Sequence, residues 1–485
     1  MVASAGRKLD ISKVNHKNSP GHSAVPRFPM LDEIFDAFVE ASPASVMARG
    51  LAERLLHPER LDAWFERLES TQYTRELLFS SVFSLMSQVV CGSQRSINAA
   101  YQAAKEEVPT SIVAVYDKLK SIEPQTSAEL VRYAAGEART LIAGLDGALA
   151  PLLPGYRVKL LDGNCLPVSE HRLQELRAMS AGPLPGKSLV VLDPALALPI
   201  DVFPCEDGHA QERSLLEAVL GTVAPGDLWI GDRNFCTNGF LTGIVNSGSH
   251  FILREHKKLA WKPVAGSVLT LAGKTETGSV RQQKVEVVDP QGHVHVLRRV
   301  ELTLNQATRD GDRTIALLTN LPARVAPARK VAELYRERWT IETAFQELAT
   351  HLNAEIQTLG YPRAALFGFC VALIAYIVMA VLKAAMRSMH GAQTIEANLS
   401  GYYLADELSN VYRGMMIAIP EPHWRGFREL EQTEFIKVLR FLAGKVRLSR
   451  FQKHRRGPKK PPPKRQNDKG KPHVSTARLL AGRKR

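Results

Sequence analysis

Around Pro151-Leu152-Leu153-Pro154-Gly155 the spacing of apolar residues changes from three-to-four to two, and the change divides the chain. Upstream, Leu55, Leu61, Trp64, Phe65 and Leu68 recur at helical intervals, and residues 30–150 read as a helical region. Within it, stretches from Ser96 and from Ser111 flank Val108-Pro109-Thr110, with Thr110 or Ser111 as an N-cap. Such a pair resembles a helix-turn-helix, an arrangement that places one helix in a DNA groove and that also occurs in ordinary helical bundles.

Downstream, short β-type runs lie at 157–162, 188–192, 196–203, 228–232 and 250–254, with helical stretches at 209–220 and 238–246. Strands alternating with helices predict a partly parallel α/β sheet. Alternation in Lys284-Val285-Glu286-Val287-Val288 and His293-Val294-His295-Val296-Leu297 predicts an antiparallel β insertion over 255–320. Pro327 opens a long helix expected to run through Leu352.

Residues 364–382 carry no charge between Arg363 and Lys383, a length that permits a membrane span. The run is Ala-rich and follows a charged amphipathic helix, so a buried core helix is the expected form and no membrane partner is predicted. A membrane-attached protein is the rival reading. Five scattered cysteines (Cys91, Cys165, Cys205, Cys236, Cys370) form no zinc spacing or disulfide framework, which fits a cytoplasmic setting. The polar leader, residues 1–29, lacks the apolar core of an export signal, and no export is expected.

The net charge of +14 sits at one end. Residues 445–485 hold 16 Lys or Arg and one acid, leaving 47 bases against 48 acids elsewhere. That Pro- and Lys-rich segment is expected to be a disordered tail that attracts polyanions such as nucleic acid.

Two acids end predicted strands: Asp162, in Leu160-Leu161-Asp162-Gly163-Asn164, and Asp232, in Ile230-Gly231-Asp232-Arg233-Asn234. Sites in open α/β sheets assemble at the carboxyl ends of strands. Neighbouring carboxylates there suit a hard cation such as Mg²⁺, although Asp before Gly or Asn is also ordinary turn chemistry. A third acid, Glu342, follows Tyr335 and Arg338 at the spacing that puts all three on one helical face. Arg and Tyr beside a carboxylate suit phosphate, and the same residues also suit a surface ion pair.

Tyr335, Arg338 and Glu342 match the Y-x2-R-x3-E part of the motif Y-x2-R-x3-E-x6-K, and the chain resembles the DDE transposases of the insertion-sequence-four (IS-four) family. Asp162-Gly163-Asn164 is similar to that family's first catalytic block, and Gly231-Asp232-Arg233-Asn234-Phe235 to its second. The resemblance implies an RNase H-like catalytic core, residues 151–254 and 321–390, interrupted by the β insertion and followed by a helical region, 391–444. It implies Asp162, Asp232 and Glu342 as catalytic ligands of two Mg²⁺ ions, with Mn²⁺ able to substitute, and Tyr335, Arg338 and Arg233 as contacts to DNA phosphates. It also implies cut-and-paste transposition on double-stranded DNA, recognition of terminal inverted repeats, a homodimer on paired ends and association with the nucleoid. Two positions depart from the pattern: Ala349 stands where the motif has Lys, and Asn164 where Thr is usual. Ala349 keeps open a catalytically impaired, DNA-binding descendant acting as a transposition repressor, and a plain nuclease is a further rival.

Other candidates are Trp261 as a base-stacking residue, His293 and His295 as a metal pair, and Asp193, Asp201 and Glu347 as alternative ligands. The histidines read as surface residues and Trp261 equally well as packing.

Overall fold

The computed structural model describes residues 28–68, 76–308, 311–454 and 472–482. Nearly all of the expected leader, and residues 455–471 and 483–485 of the expected tail, lie outside them.

The upstream region is helical as its period predicts, with helices Pro43–Leu55, Pro58–Leu68, Phe79–Val90, Ile97–Ala103, Ile112–Ser121 and Pro124–Leu145. Pro43 and Pro124 open their helices, where a missing N–H costs nothing. Ser96 and Ser111 are N-caps, their hydroxyls accepting from the N–H groups of Ala99 and Ala114, each at 3.2 Å. Residues 104–111 separate these two helices, and Val115 and Leu119 of the second are buried in the shared core.

That core is built around Pro362–His390, the helix containing the uncharged run. It is long and apolar enough to cross a membrane, yet 89% of its most apolar 18-residue window is buried against the rest of the protein. Pro124–Leu145 packs along it, and so does the C-terminal helix Gln432–Lys445. The N-terminal and C-terminal helical regions therefore share one hydrophobic core.

The strands are β1 (Arg157–Cys165), β2 (Gly182–Leu184), β3 (Lys187–Asp193), β4 (Leu198–Cys205), β5 (Asp227–Gly231), β6 (His250–Arg254), β7 (Lys262–Pro263), β8 (Thr270–Thr275), β9 (Gly278–Val288), β10 (Val294–Leu304), β11 (Thr314–Thr319) and β12 (His473–Ser475). One ten-stranded sheet runs in the order β4-β3-β1-β5-β6-β11-β10-β9-β7, with β8 paired to β9. β1, β5 and β6 are mutually parallel neighbours, while β1, β3 and β4 form an antiparallel meander. Alternation along β1 sends Leu160 into the large helical core and Leu161 into a second core under the helix Asn238–Asn246.

Four expectations change. The segment 255–320 is antiparallel as expected, but it extends the main sheet, because β11 pairs with β6, Leu318 opposite Leu253. The stretch 209–220 is helical only from Glu212, as a 3₁₀ turn to Leu215 followed by Leu216–Leu220. The long helix after Pro327 is two helices, Ala328–Arg336 and Trp339–His351, because the intervening N–H groups of Glu337 and Arg338 bond three residues back, to Leu334 and Tyr335. Residues 472–482, expected to be part of a disordered tail, are folded: β12 pairs in parallel with β2, Ser475 and Thr476 are buried, and Arg478 binds Asp207 at 2.7 Å.

Candidate active site

Parallel pairing of β1 with β5 puts Leu161 opposite Gly231, so the next residues, Asp162 and Asp232, lie at the same end of the sheet on adjacent strands. The helix Trp339–His351 seats Ile341, Ala344 and Leu348 over Val190 and Leu192 of β3, which carries Glu342 in its first turn to this end.

The tightened turn between the two helices swings Arg338 inward, where it is buried. Its Nη1 donates to Asp162 Oδ2 at 3.0 Å and its Nη2 to Glu342 Oε1 at 2.6 Å, so one guanidinium bridges two of the three acids. Its Nε is buried with no hydrogen-bond partner. The Asp162 side chain is 18% exposed and that of Glu342 45%.

Burial pushes the Asp162 carboxyl up to about 6, opposed by Arg338 and the Gly163 N–H and reinforced by the charges of Glu342 and Asp232. The charges of the other two acids thus both reach Asp162. Tyr335 is half-buried beside them, its hydroxyl held well above its ordinary value by desolvation, against the pull of Arg338 and with Asp232 adding to the shift. Arg233 is exposed on the 3₁₀ turn that follows Asp232.

Among the described residues, no three His, Cys, Asp or Glu side chains are gathered closely enough to hold a metal as they stand. The donor chemistry nonetheless fits a hard divalent cation: the acids are oxygen donors that repel one another, and a guanidinium already occupies the cationic position between two of them.

The alternative ligands have other partners. Asp193 accepts from the N–H groups of Ala195 and Leu196, Asp201 pairs with Arg132, and Glu347 binds Lys383 at 3.4 Å. That ion pair brings a lysine from the long core helix to the helix on which Ala349 is exposed. His293 and His295 both bind Asp289, at 3.0 and 3.2 Å. The Trp261 indole donates to Glu255 at 2.7 Å, and the Arg299 guanidinium lies 5.1 Å from its ring centroid, so packing accounts for it.

The sequence reading missed three neighbours. Arg254, at the end of β6, pairs with Asp312, and its charge reaches Tyr335. Burial holds the His256 ring below its ordinary value, and the charges of Arg213, Lys258 and Arg233 add to the shift. Glu212 accepts from Asn234 at 3.2 Å. The charge run Arg254-Glu255-His256-Lys257-Lys258 at a strand end was a visible signal for the first two; nothing local marks Glu212.

Residues 154–378 match the family model of the transposase DDE domain. Over 205 residues the chain is 26% identical to "Putative transposase y4zB" of Sinorhizobium fredii (strain NBRC 101917 / NGR234), covering 42% of this chain and 55% of that protein. This chain thus spans about half the length of the curated relative it matches. Among solved structures it is similar to a piggyBac transposase synaptic complex with hairpin DNA, at a TM-score of 0.36 and 10% identity, covering 82% of this chain and 85% of that one. The matched span contains Asp162, Asp232 and Glu342.

Proposed function

We propose that the protein is a cut-and-paste DNA transposase of the IS-four type, which binds the terminal inverted repeats of its own element and cleaves and transfers DNA strands at the Asp162, Asp232 and Glu342 site. The observation that carries this reading is the Arg338 bridge, which ties Asp162 of β1 to the helix-borne Glu342 beside Asp232, the residue that follows β5. The order β4-β3-β1-β5-β6, with only β1, β5 and β6 parallel, supports an RNase H-like core.

Asp162, Asp232 and Glu342 would hold Mg²⁺. When bound, such ions supply the charge that activates an attacking water or 3′-hydroxyl and steadies the leaving oxygen. The chain's own residues do the rest. Arg338 has two alternative partners, the carboxylates it bridges and a DNA phosphate, and it exchanges one for the other as the backbone arrives. Tyr335, kept protonated by burial, donates to a phosphate oxygen. Arg233, Arg254, Lys257 and Lys258 continue the positive strip along which DNA lies, in a nucleoid setting, and a homodimer would bring two ends together.

The test is cleavage of a plasmid carrying the gene with its native flanks, comparing wild type with Asp232→Ala in Mg²⁺ and wild type in EDTA. The proposal expects metal-dependent cuts at the element's ends that vanish in the variant. Specific binding to the flanks without any cutting would replace it with the binding-only descendant and direct attention to Ala349.

A further inference from the structure

We infer that Glu212 is a positioning residue that fixes the spacing of the two strand ends from the sheet face opposite Asp162; the inference rests on the reading of Asp162 and Asp232 as a cation-binding pair. β1 does not turn at Asp162-Gly163 but runs on to Cys165. Gly163 is therefore not there to make a turn. By strand alternation it faces the same side as Leu161, away from the Asp162 side chain. A Cβ at Gly163 would collide with Glu212 Oε1 and lie 2.6 Å from its Cδ, so the carboxylate rests directly on the strand, and only glycine admits it.

The other Glu212 oxygen, Oε2, accepts from Asn234 Nδ2 at 3.2 Å, and the neighbouring Arg213 Nε donates to the Asn234 carbonyl at 2.8 Å. Asn234 lies two residues past Asp232, inside the 3₁₀ turn that Asp232 opens without a side-chain cap. One dipeptide, Glu212-Arg213, thus presses on the residue after the first aspartate and grips the turn after the second. Groups that orient carboxylate ligands in this way commonly set metal affinity, and losing one weakens binding about 10–100-fold.

The test is Mn²⁺ titration of the full chain, with free ion read by electron paramagnetic resonance and Tm measured alongside. Glu212→Ala and Asn234→Ala should each weaken Mn²⁺ binding about 10–100-fold with Tm close to wild type, while Glu212→Gln, which keeps the shape and an acceptor, restores most of it. Gly163→Ala should weaken binding equally, and combining it with Glu212→Ala should be no worse than Glu212→Ala alone, because the clash is gone. Unchanged affinity in both Glu212→Ala and Asn234→Ala overturns the inference. Should Glu212→Ala fail to fold, Asn234→Ala, at an exposed residue, decides alone. If wild type shows no Mn²⁺ site sensitive to Asp162→Asn, the cation reading itself fails and the brace with it.

Discussion

Two carboxylate clusters sit in different regions of the same sheet and behave in opposite ways. At the turn between β9 and β10, Asp289 accepts from the N–H groups of Gln291 and His293 at 2.9 and 2.8 Å and from both histidine rings. Burial alone would raise its carboxyl, but these donors outweigh that and hold it well below the ordinary range. Where the pairing of β1 with β5 stops, Asp162 shares one guanidinium with Glu342, faces two like charges and titrates upward. A carboxylate saturated by local donors locks a turn. A buried carboxylate with too little positive charge nearby is prepared for a cation from outside.

The largest effect that could break this contrast is on DNA cleavage. Asp162→Asn, Asp232→Asn and Glu342→Gln should each reduce it to the level without enzyme. Asp289→Asn should leave cleavage intact and lower stability instead, read by denaturant titration, because the turn's donors lose a charged acceptor. Loss of cleavage in Asp289→Asn would erase the distinction.

Next comes Arg338. Its removal leaves Asp162 buried without its cation, and because Glu342 is half-exposed the expected loss is about 2 kcal/mol rather than the larger cost of breaking a fully buried pair. Thermal unfolding of Arg338→Gln should show a lowered Tm that Mg²⁺ raises more than it does in wild type. An equal Mg²⁺ response in the two proteins would show that Arg338 does not stand in for the ion.

A third effect is the pH dependence of stability in EDTA. With its folded value raised to about 6, Asp162 holds a proton more tightly in the native than in the unfolded state. Wild-type stability is therefore penalised as pH rises from about 4 to 6, and the penalty is constant above that window. Asp162→Asn lacks this penalty, so its stability relative to wild type should improve by roughly 2–3 kcal/mol across the window. A flat difference would contradict the burial argument.

The smallest effect concerns the basic strip. Replacing Lys257 and Lys258 by Ala should weaken DNA binding alike on all sequences and reduce the slope of log affinity against log salt by about 0.9 for each phosphate no longer neutralised. Point substitutions are better suited to this than deletion of residues 445–485, which would remove the buried Phe451, Ser475 and Thr476.

Much of this arrangement was legible before the structure. β6 and the helix Asn238–Asn246 follow their local patterns, and the place of Asp232 just past β5 follows from a short apolar run that stops at an acid, whereas Asp162, expected to end its strand, lies inside β1, which stays paired with β3 as far as Cys165. Local patterns could not reveal the break at Glu337-Arg338, because the spacing of Tyr335, Arg338 and Glu342 is compatible with a continuous helix; the hold of Asp162, 176 residues away, on the buried guanidinium is a tertiary effect. The approach of Glu212 to Gly163 and the pairing of β12 with β2 join residues distant in sequence, and no periodicity encodes either. The glycine of Asp162-Gly163 reads as a turn residue and turns out to be one of close approach.

The central claim is that Asp162, Asp232 and Glu342 form a single cation site. Mn²⁺ binding to wild type, Asp162→Asn, Asp232→Asn and Glu342→Gln, followed by electron paramagnetic resonance, tests it most directly. The account predicts that each substitution alone removes or severely weakens the same bound ion. Wild-type binding retained in Asp232→Asn would contradict it, because the two strand ends would then not share a ligand.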